Sequence, residues 1–86
     1  MLQEAVVKKT GYILSIDQGT TGSRVILFNH DGEIHSMAYR TLRQIYPKPG
    51  WVEHNPEEIW NSVLECIHEA CVKGAVNARD IRGIGI

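Results

Sequence analysis

An α/β domain that opens in the order β-β-β-α-β is the fold class this sequence of 86 residues predicts. Three patterns carry the expectation. Two β-rich runs flank a short turn of small residues, a strongly capped amphipathic stretch follows a proline-rich loop, and a last apolar run comes after that stretch. A chain this short makes one domain at most, with limited power to bury a core.

Residues 1–11, "MLQEAVVKKTG", read as a polar leader: Glu4 comes early, Lys8 and Lys9 suit solvent, and no long apolar run makes a signal sequence. Tyr12 to Asp17 then reads as a buried strand and Arg24 to Phe28 as a second, both rich in β-formers. Only small residues join them, so an antiparallel hairpin is expected. "NHDG", Asn29 to Gly32, is a strong turn signal, and a less apolar strand from Glu33 to Thr41 follows, nearer a sheet edge.

"IYPKPGWVEH", Ile45 to His54, is punctuated by prolines that neither a helix nor a central strand accommodates. "NPEEIW" announces a helix: Asn55 is a good N-cap, Pro56 suits the first helical position and Glu58 has capping-box spacing. Glu57 and Glu58 also favour the positive end of the helix dipole. Trp60, Val63, Leu64, Ile67 and Cys71 recur with helical period and predict one apolar face, with Trp60 in the core. Lys73 and a C′ glycine at Gly74 are expected to end the helix. Ala75 to Asp80 would link it to a strand over Ile81 to Ile86. That run, "DIRGIGI", stops on a buried-looking strand without a polar cap, and the expectation is a segment of a longer protein.

Composition narrows the class of function. The chain is 43% hydrophobic and 22% charged with a net charge of -1, which provides no basic stripe for a nucleic acid. No apolar run approaches the roughly 18 residues that span a bilayer. Cys66 and Cys71 stand five apart, so no intrahelical disulfide is expected, and their spacing is not that of a zinc site. They read as reduced packing thiols of a cytoplasmic protein. His30, His35, His54 and His68 fall in a turn, a strand, a loop and a helix, a scatter that argues against a metal cluster. Trp51 is expected to pin the proline loop and not to serve as a sugar platform.

The first turn carries the chemistry. Gly19 to Ser23 places two glycines and three hydroxyls in five residues, with Arg24 next and Asp17 just before. Backbone N–H groups, hydroxyls and the absence of bulky Cβ atoms suit a phosphate, and Arg24 adds a fixed positive charge. Asp17 would approach a phosphate only through Mg²⁺ or a metal-bound water. On the residues alone a second reading stands equally: a plain hairpin turn whose Asp caps its own backbone. Neither a Walker A loop nor G-x-G-x-x-G is present.

"DQGTTGSR" after an apolar strand resembles the first phosphate-binding hairpin of the actin/Hsp70/sugar-kinase superfamily. The β-β-β-α-β order resembles the opening of its ribonuclease H-like domain, here incomplete. "IYPKPGWVEHNPEEIW" is similar to the P-G-W-x-E-x-D-P-x-x-x-W segment of the FGGY carbohydrate kinases, a loop the actin and Hsp70 branches do not share. The "YPKPGWVEH" form, Arg24 after "DQGTT" and the closing I-x-x-I-G-I are most similar to the glycerol kinase branch. The resemblance covers residues 12–86, read as a partial FGGY N-terminal domain, and it favours the phosphate reading of the hairpin.

The resemblance implies ATP and Mg²⁺ as cofactor and metal, with glycerol as the co-substrate of a full-length, homo-oligomeric kinase. Asp17 would be the metal-side acid. Thr20 and Thr21 would contact the ATP phosphates through hydroxyls and amides, Gly22 through its N–H, and Arg24 through its charge. Gly22 departs from the Ser that many glycerol kinases carry there. The glycerol-binding N-Q-R-E-T motif, the catalytic base and the adenine-binding domain would lie beyond Ile86, so these 86 residues alone should be inactive. The alternatives are a non-catalytic truncated product, another FGGY polyol or sugar kinase, and a nucleotide-switch ATPase sharing only the hairpin.

Overall fold

The computed structural model describes residues 11–45, 47–50 and 53–86. Strands β1 (Tyr12–Gln18), β2 (Gly22–Phe28) and β3 (Ile34–Thr41) form an antiparallel meander. Helix α1 (Pro56–Gly74) and a 3-10 turn (Ala78–Asp80) then lead to β4 (Ile81–Gly85), which pairs parallel to β1. A parallel pairing needs a crossover, and α1 supplies it. The sheet order is β3-β2-β1-β4, which puts β3 at an edge as its weaker apolar character predicts. The expected β-β-β-α-β order is thus present, with every strand end within two residues of its expected place.

Local chemistry explains the connections. Asn29 Oδ1 accepts from the N–H groups of Asp31 and Glu33, both at 3.0 Å, and Gly32 takes φ 80°, so the "NHDG" turn closes on its own side chain. Ile45 and Glu53 exchange both backbone hydrogen bonds, at 3.0 and 2.7 Å, which closes the neck of the proline loop. Trp51 lies outside the described residues, as does the leader up to residue 10. Asn55 Oδ1 caps α1 by accepting from Glu57 N at 2.9 Å and Glu58 N at 3.4 Å. Glu58 does not complete the expected capping box. Its carboxylate accepts from Arg43 N at 3.4 Å and pairs with the Arg43 guanidinium at 3.6 Å.

The period of two along each strand divides the sheet into unlike faces. Leu14, Val25, Leu27 and Ala38 point to one side, and Cys66, Ala70 and Val76 close over them as a buried cluster. The opposite side carries no helix among the described residues, and there Ile13, Met37 and Tyr39 remain exposed. An uncovered sheet face is what three or four strands and one helix should leave.

The buried face of α1 is only partly the one expected: Val63 is buried and Ile67 and Cys71 pack against the cluster, but Trp60 and Leu64 do not. Trp60 is 61% exposed and Leu64 44%, while Ser62, Val63, Cys66 and Ala70 are buried. Trp60 is therefore not core, and distance explains why. Small residues recur every fourth position as Ser62, Cys66, Ala70 and Gly74, and they let the helix backbone approach the sheet closely. Ser36 Oγ donates to Ala70 O at 2.7 Å, His35 Nε2 donates to Gly74 O at 2.8 Å, and Cys66 Sγ donates to Ser23 O at 3.4 Å. No indole fits into such a gap, so Trp60 is turned outward.

Gly74 is likewise needed for closeness and not for a left-handed turn. It remains helical, and a Cβ there would lie 2.8 Å from both His35 Cδ2 and Ser36 Oγ. The left-handed residue is Ala75, at φ 53°, whose N–H donates to Val72 O at 3.2 Å. Both cysteines are free, and burial pushes each thiol's pKa up, which keeps them protonated and unreactive at neutral pH. On the outer side of the same contact, Glu69 joins Arg40 and Lys73, the latter at 2.9 Å. The Lys73 hydrogen bond, then the Arg40 hydrogen bond, holds the Glu69 carboxyl below the usual carboxylate range.

Candidate phosphate-binding hairpin

The β1–β2 hairpin brings all five predicted residues to one end of the sheet. Asp17 is the penultimate residue of β1, Thr20 and Thr21 form the tip, Gly22 opens β2, and Arg24 stands directly opposite Asp17. Asp17 and Arg24 share the uncovered face. That end is also the carboxyl end of the parallel pair β1 and β4, where open α/β sheets characteristically receive ligands.

The backbone polarity of the tip is one-sided. Every carbonyl from residue 19 to residue 22 already accepts a hydrogen bond. Gln18 Nε2 donates to Gly19 O at 3.1 Å, Gln44 Nε2 to Thr20 O at 2.7 Å, Leu42 N to Thr21 O at 2.9 Å, and Gly19 N to Gly22 O at 2.9 Å. The N–H groups and hydroxyls of Thr20 and Thr21 make no hydrogen bond with the described residues, and both side chains are exposed. A loop with its acceptors engaged and its donors free presents a positive local field, which suits an anion. The residues that engage those carbonyls were not legible as site residues. Gln44 lies 24 positions from Thr20, and nothing in its neighbourhood in the sequence points to that contact.

The base of the tip is rigid. The Ser23 hydroxyl, fully buried, donates to Gln18 Oε1 at 2.7 Å, so Gln18 is held with its amide nitrogen toward the Gly19 carbonyl. Ser23 thus faces the covered side of the sheet and is not one of the free hydroxyls, although the sequence offered three as equivalent. Gly22 is enclosed: a Cβ there would stand 2.5 Å from both Arg40 O and Tyr39 Cζ. Its place is set by a close approach of β3, so a Ser at this position requires both the Tyr39 ring and the Arg40 carbonyl to give way.

Asp17 and Arg24 do not neutralise each other. They are cross-strand partners, yet no ion pair joins them, and the Asp17 carboxylate has no hydrogen-bond partner among the described residues. The Arg24 guanidinium carbon lies 5.3 Å from the centre of the Tyr39 ring. A single free carboxylate fits Mg²⁺, which keeps most of its waters and takes one or two carboxylates together with phosphate oxygens. No helix among the described residues is long and apolar enough to cross a membrane.

Residues 12–86 match the N-terminal domain of the FGGY family of carbohydrate kinases. Glycerol kinases of Oceanobacillus iheyensis and Staphylococcus epidermidis are 59% and 56% identical over 75 residues, 87% of this chain. The chain spans about 15% of the length of these curated relatives. Among solved structures, Plasmodium falciparum glycerol kinase with ADP superposes on 88% of the chain and 14% of its own, with a TM-score of 0.69 and 29% identity. A xyloylose kinase from Brucella ovis, at 23% identity and a TM-score of 0.70 over 74% of this chain and 13% of its own, shares the fold. Matched along the hairpin, the proline loop and the capped helix alike, the chain belongs to the FGGY family of carbohydrate kinases, as part of their N-terminal domain.

Proposed function

We propose that these residues form the opening segment of an ATP-dependent glycerol kinase, which moves the γ-phosphoryl group of ATP to a terminal hydroxyl of glycerol and yields sn-glycerol 3-phosphate. The observation that carries the phosphate side is the tip of the hairpin, where four engaged carbonyls leave the Thr20 and Thr21 donors facing outward. Glycerol as the acceptor is supported by relatives bearing that name at up to 59% identity.

Phosphoryl transfer asks the protein mainly for positioning and neutralisation of charge. Thr20 and Thr21 would donate to phosphate oxygens through amide and hydroxyl, Gly22 would contribute its N–H, and Arg24 would add a permanent positive charge. Asp17 would hold Mg²⁺, whose contribution when bound is to neutralise the negative charge on the phosphates. Asp17 is not the base: the groups that bind glycerol and take its proton belong to the parent beyond this segment. A cytoplasmic, homo-oligomeric parent belongs to the same proposal, the cytoplasm being in keeping with two unpaired thiols.

The test is glycerol-dependent ADP formation by the full-length parent with Mg-ATP, against the isolated 86 residues. The parent turns over and the isolated segment does not. A parent that ignores glycerol but phosphorylates another polyol or sugar moves the assignment elsewhere within the family. Activity in the isolated segment would overturn the division of labour.

A further inference from the structure

We infer that Tyr39 is a positioning residue for Arg24, and that Gly22 is glycine to make room for it; the inference rests on the proposed phosphate role of the hairpin. Asp17, Arg24 and Tyr39 stand in one row across β1, β2 and β3, each the Cα partner of the next, all on the uncovered face. A cross-strand Asp–Arg pair ordinarily attracts. Here the guanidinium instead lies beside the Tyr39 ring, 5.3 Å from its centre, and Asp17 is left without a counter-charge. A ring face attracts a guanidinium through its quadrupole while leaving the N–H donors available. Tyr39 therefore keeps two opposite charges of one site apart, so that the carboxylate stays open to a cation and the guanidinium to a phosphate.

The ring reaches this position because residue 22 has no side chain. The Tyr39 hydroxyl and Cζ occupy the space that a Cβ on Gly22 would fill, and the Arg40 carbonyl oxygen stands as close, at 2.5 Å. Gly22 and Tyr39 are thus one device: adding a side chain at 22 evicts the ring, and removing the ring releases Arg24 toward Asp17. The Tyr39 hydroxyl has no hydrogen-bond partner among the described residues, so the ring and not the hydroxyl does the positioning.

The test uses the full-length parent and compares Tyr39→Leu with Tyr39→Phe. Loss of the ring raises KM for Mg-ATP by about threefold to tenfold, the range a partly exposed cation–ring contact supplies. KM for glycerol is unchanged, and Tyr39→Phe stays within about twofold of the parent. Gly22→Ser, which displaces the ring and also presses on the Arg40 carbonyl, raises KM for Mg-ATP at least as much as Tyr39→Leu. Equal behaviour of Leu and Phe, or parallel loss of both KM values, overturns the inference. Should Gly22→Ser fail to fold, the Leu and Phe pair decides. Should the parent not use glycerol, the functional reading fails separately, and the contrast is read from the affinity for Mg-ADP by calorimetry: binding weakened by at least about threefold in neither variant, or in both, counts against it.

Discussion

The two faces of the sheet are built from the same strands and do opposite things. On the helix side Leu14, Val25 and Leu27 are at most 1% exposed, and Ser36 and Ser23 are hydrogen-bonded, while the buried Ser62 hydroxyl has no partner among the described residues. On the other side Asp17, Arg24 and Tyr39 line up in the open, and the acid has no partner among the described residues. Alternate residues of a strand thus divide the labour. One set pays the conformational entropy of folding through burial, and the other keeps charges accessible and separated. Unfulfilled hydrogen-bonding capacity is costly in a core, whereas at the solvent-facing tip it is what a ligand needs.

Substitutions on the two faces should therefore separate stability from chemistry. Leu27→Ala removes a fully buried side chain and should cost about 2 to 5 kcal/mol. It is read as lost hydrogen-exchange protection of β1 and β2 amides in the parent. A loss under 1 kcal/mol would mean that the covered face is not where the stability resides. Gly74→Val comes next. Its side chain meets His35 and Ser36, forces α1 off the sheet, and should cost about 1 to 3 kcal/mol, with protection lost first in β3 and the last turn of the helix. Gly74→Val proving as mild as Ala75→Gly would show that the helix does not depend on close approach.

Asp17→Asn, on the open face, should leave stability within about 0.5 kcal/mol while glycerol-dependent ADP formation falls at least about tenfold. A variant that unfolds instead would erase the distinction between the faces. The smallest effect concerns the rim between them. The pKa of Glu69 is lowered in the folded protein by Lys73 and then Arg40, so the unfolded chain binds its proton first as pH falls. The contribution of Glu69 is complete above the ordinary glutamate range and is lost as pH drops through its lowered folded value. Glu69→Gln should flatten that part of the stability–pH curve and leave the neutral-to-alkaline part level. The carboxylate lies at the surface and is only partly buried, so the slope is shallow.

Much of the fold was legible because its signals are local. The "NHDG" turn closes on Asn29, Asn55 caps α1 and Pro56 begins it, all within a few residues of the sequence signal. One side of the predicted apolar stripe of the helix fails for a non-local reason, although Val63, Ile67 and Cys71 do face the core. Trp60 and Leu64 have the apolar period of a buried stripe, but the sheet comes close enough to select Ser62, Cys66, Ala70 and Gly74 instead. Hydrophobicity ranks side chains by their cost in water, and close packing ranks them by volume. Here volume decided. The same non-locality hid Gln44 and Tyr39, which come to the hairpin from β3 and the segment after it.

By itself, the sequence determined the order of elements and the positions of the turns, while its small residues, hydroxyls and one acid left the first hairpin two readings, a plain turn and a phosphate cradle, until the family resemblance favoured the second. Tertiary structure alone decided which hydroxyl is free and which is buried, why residue 22 is glycine, and how Arg24 stays apart from the acid opposite it. Those are properties of neighbours brought together across strands, and cross-strand distance is not written in the spacing of residues along a chain.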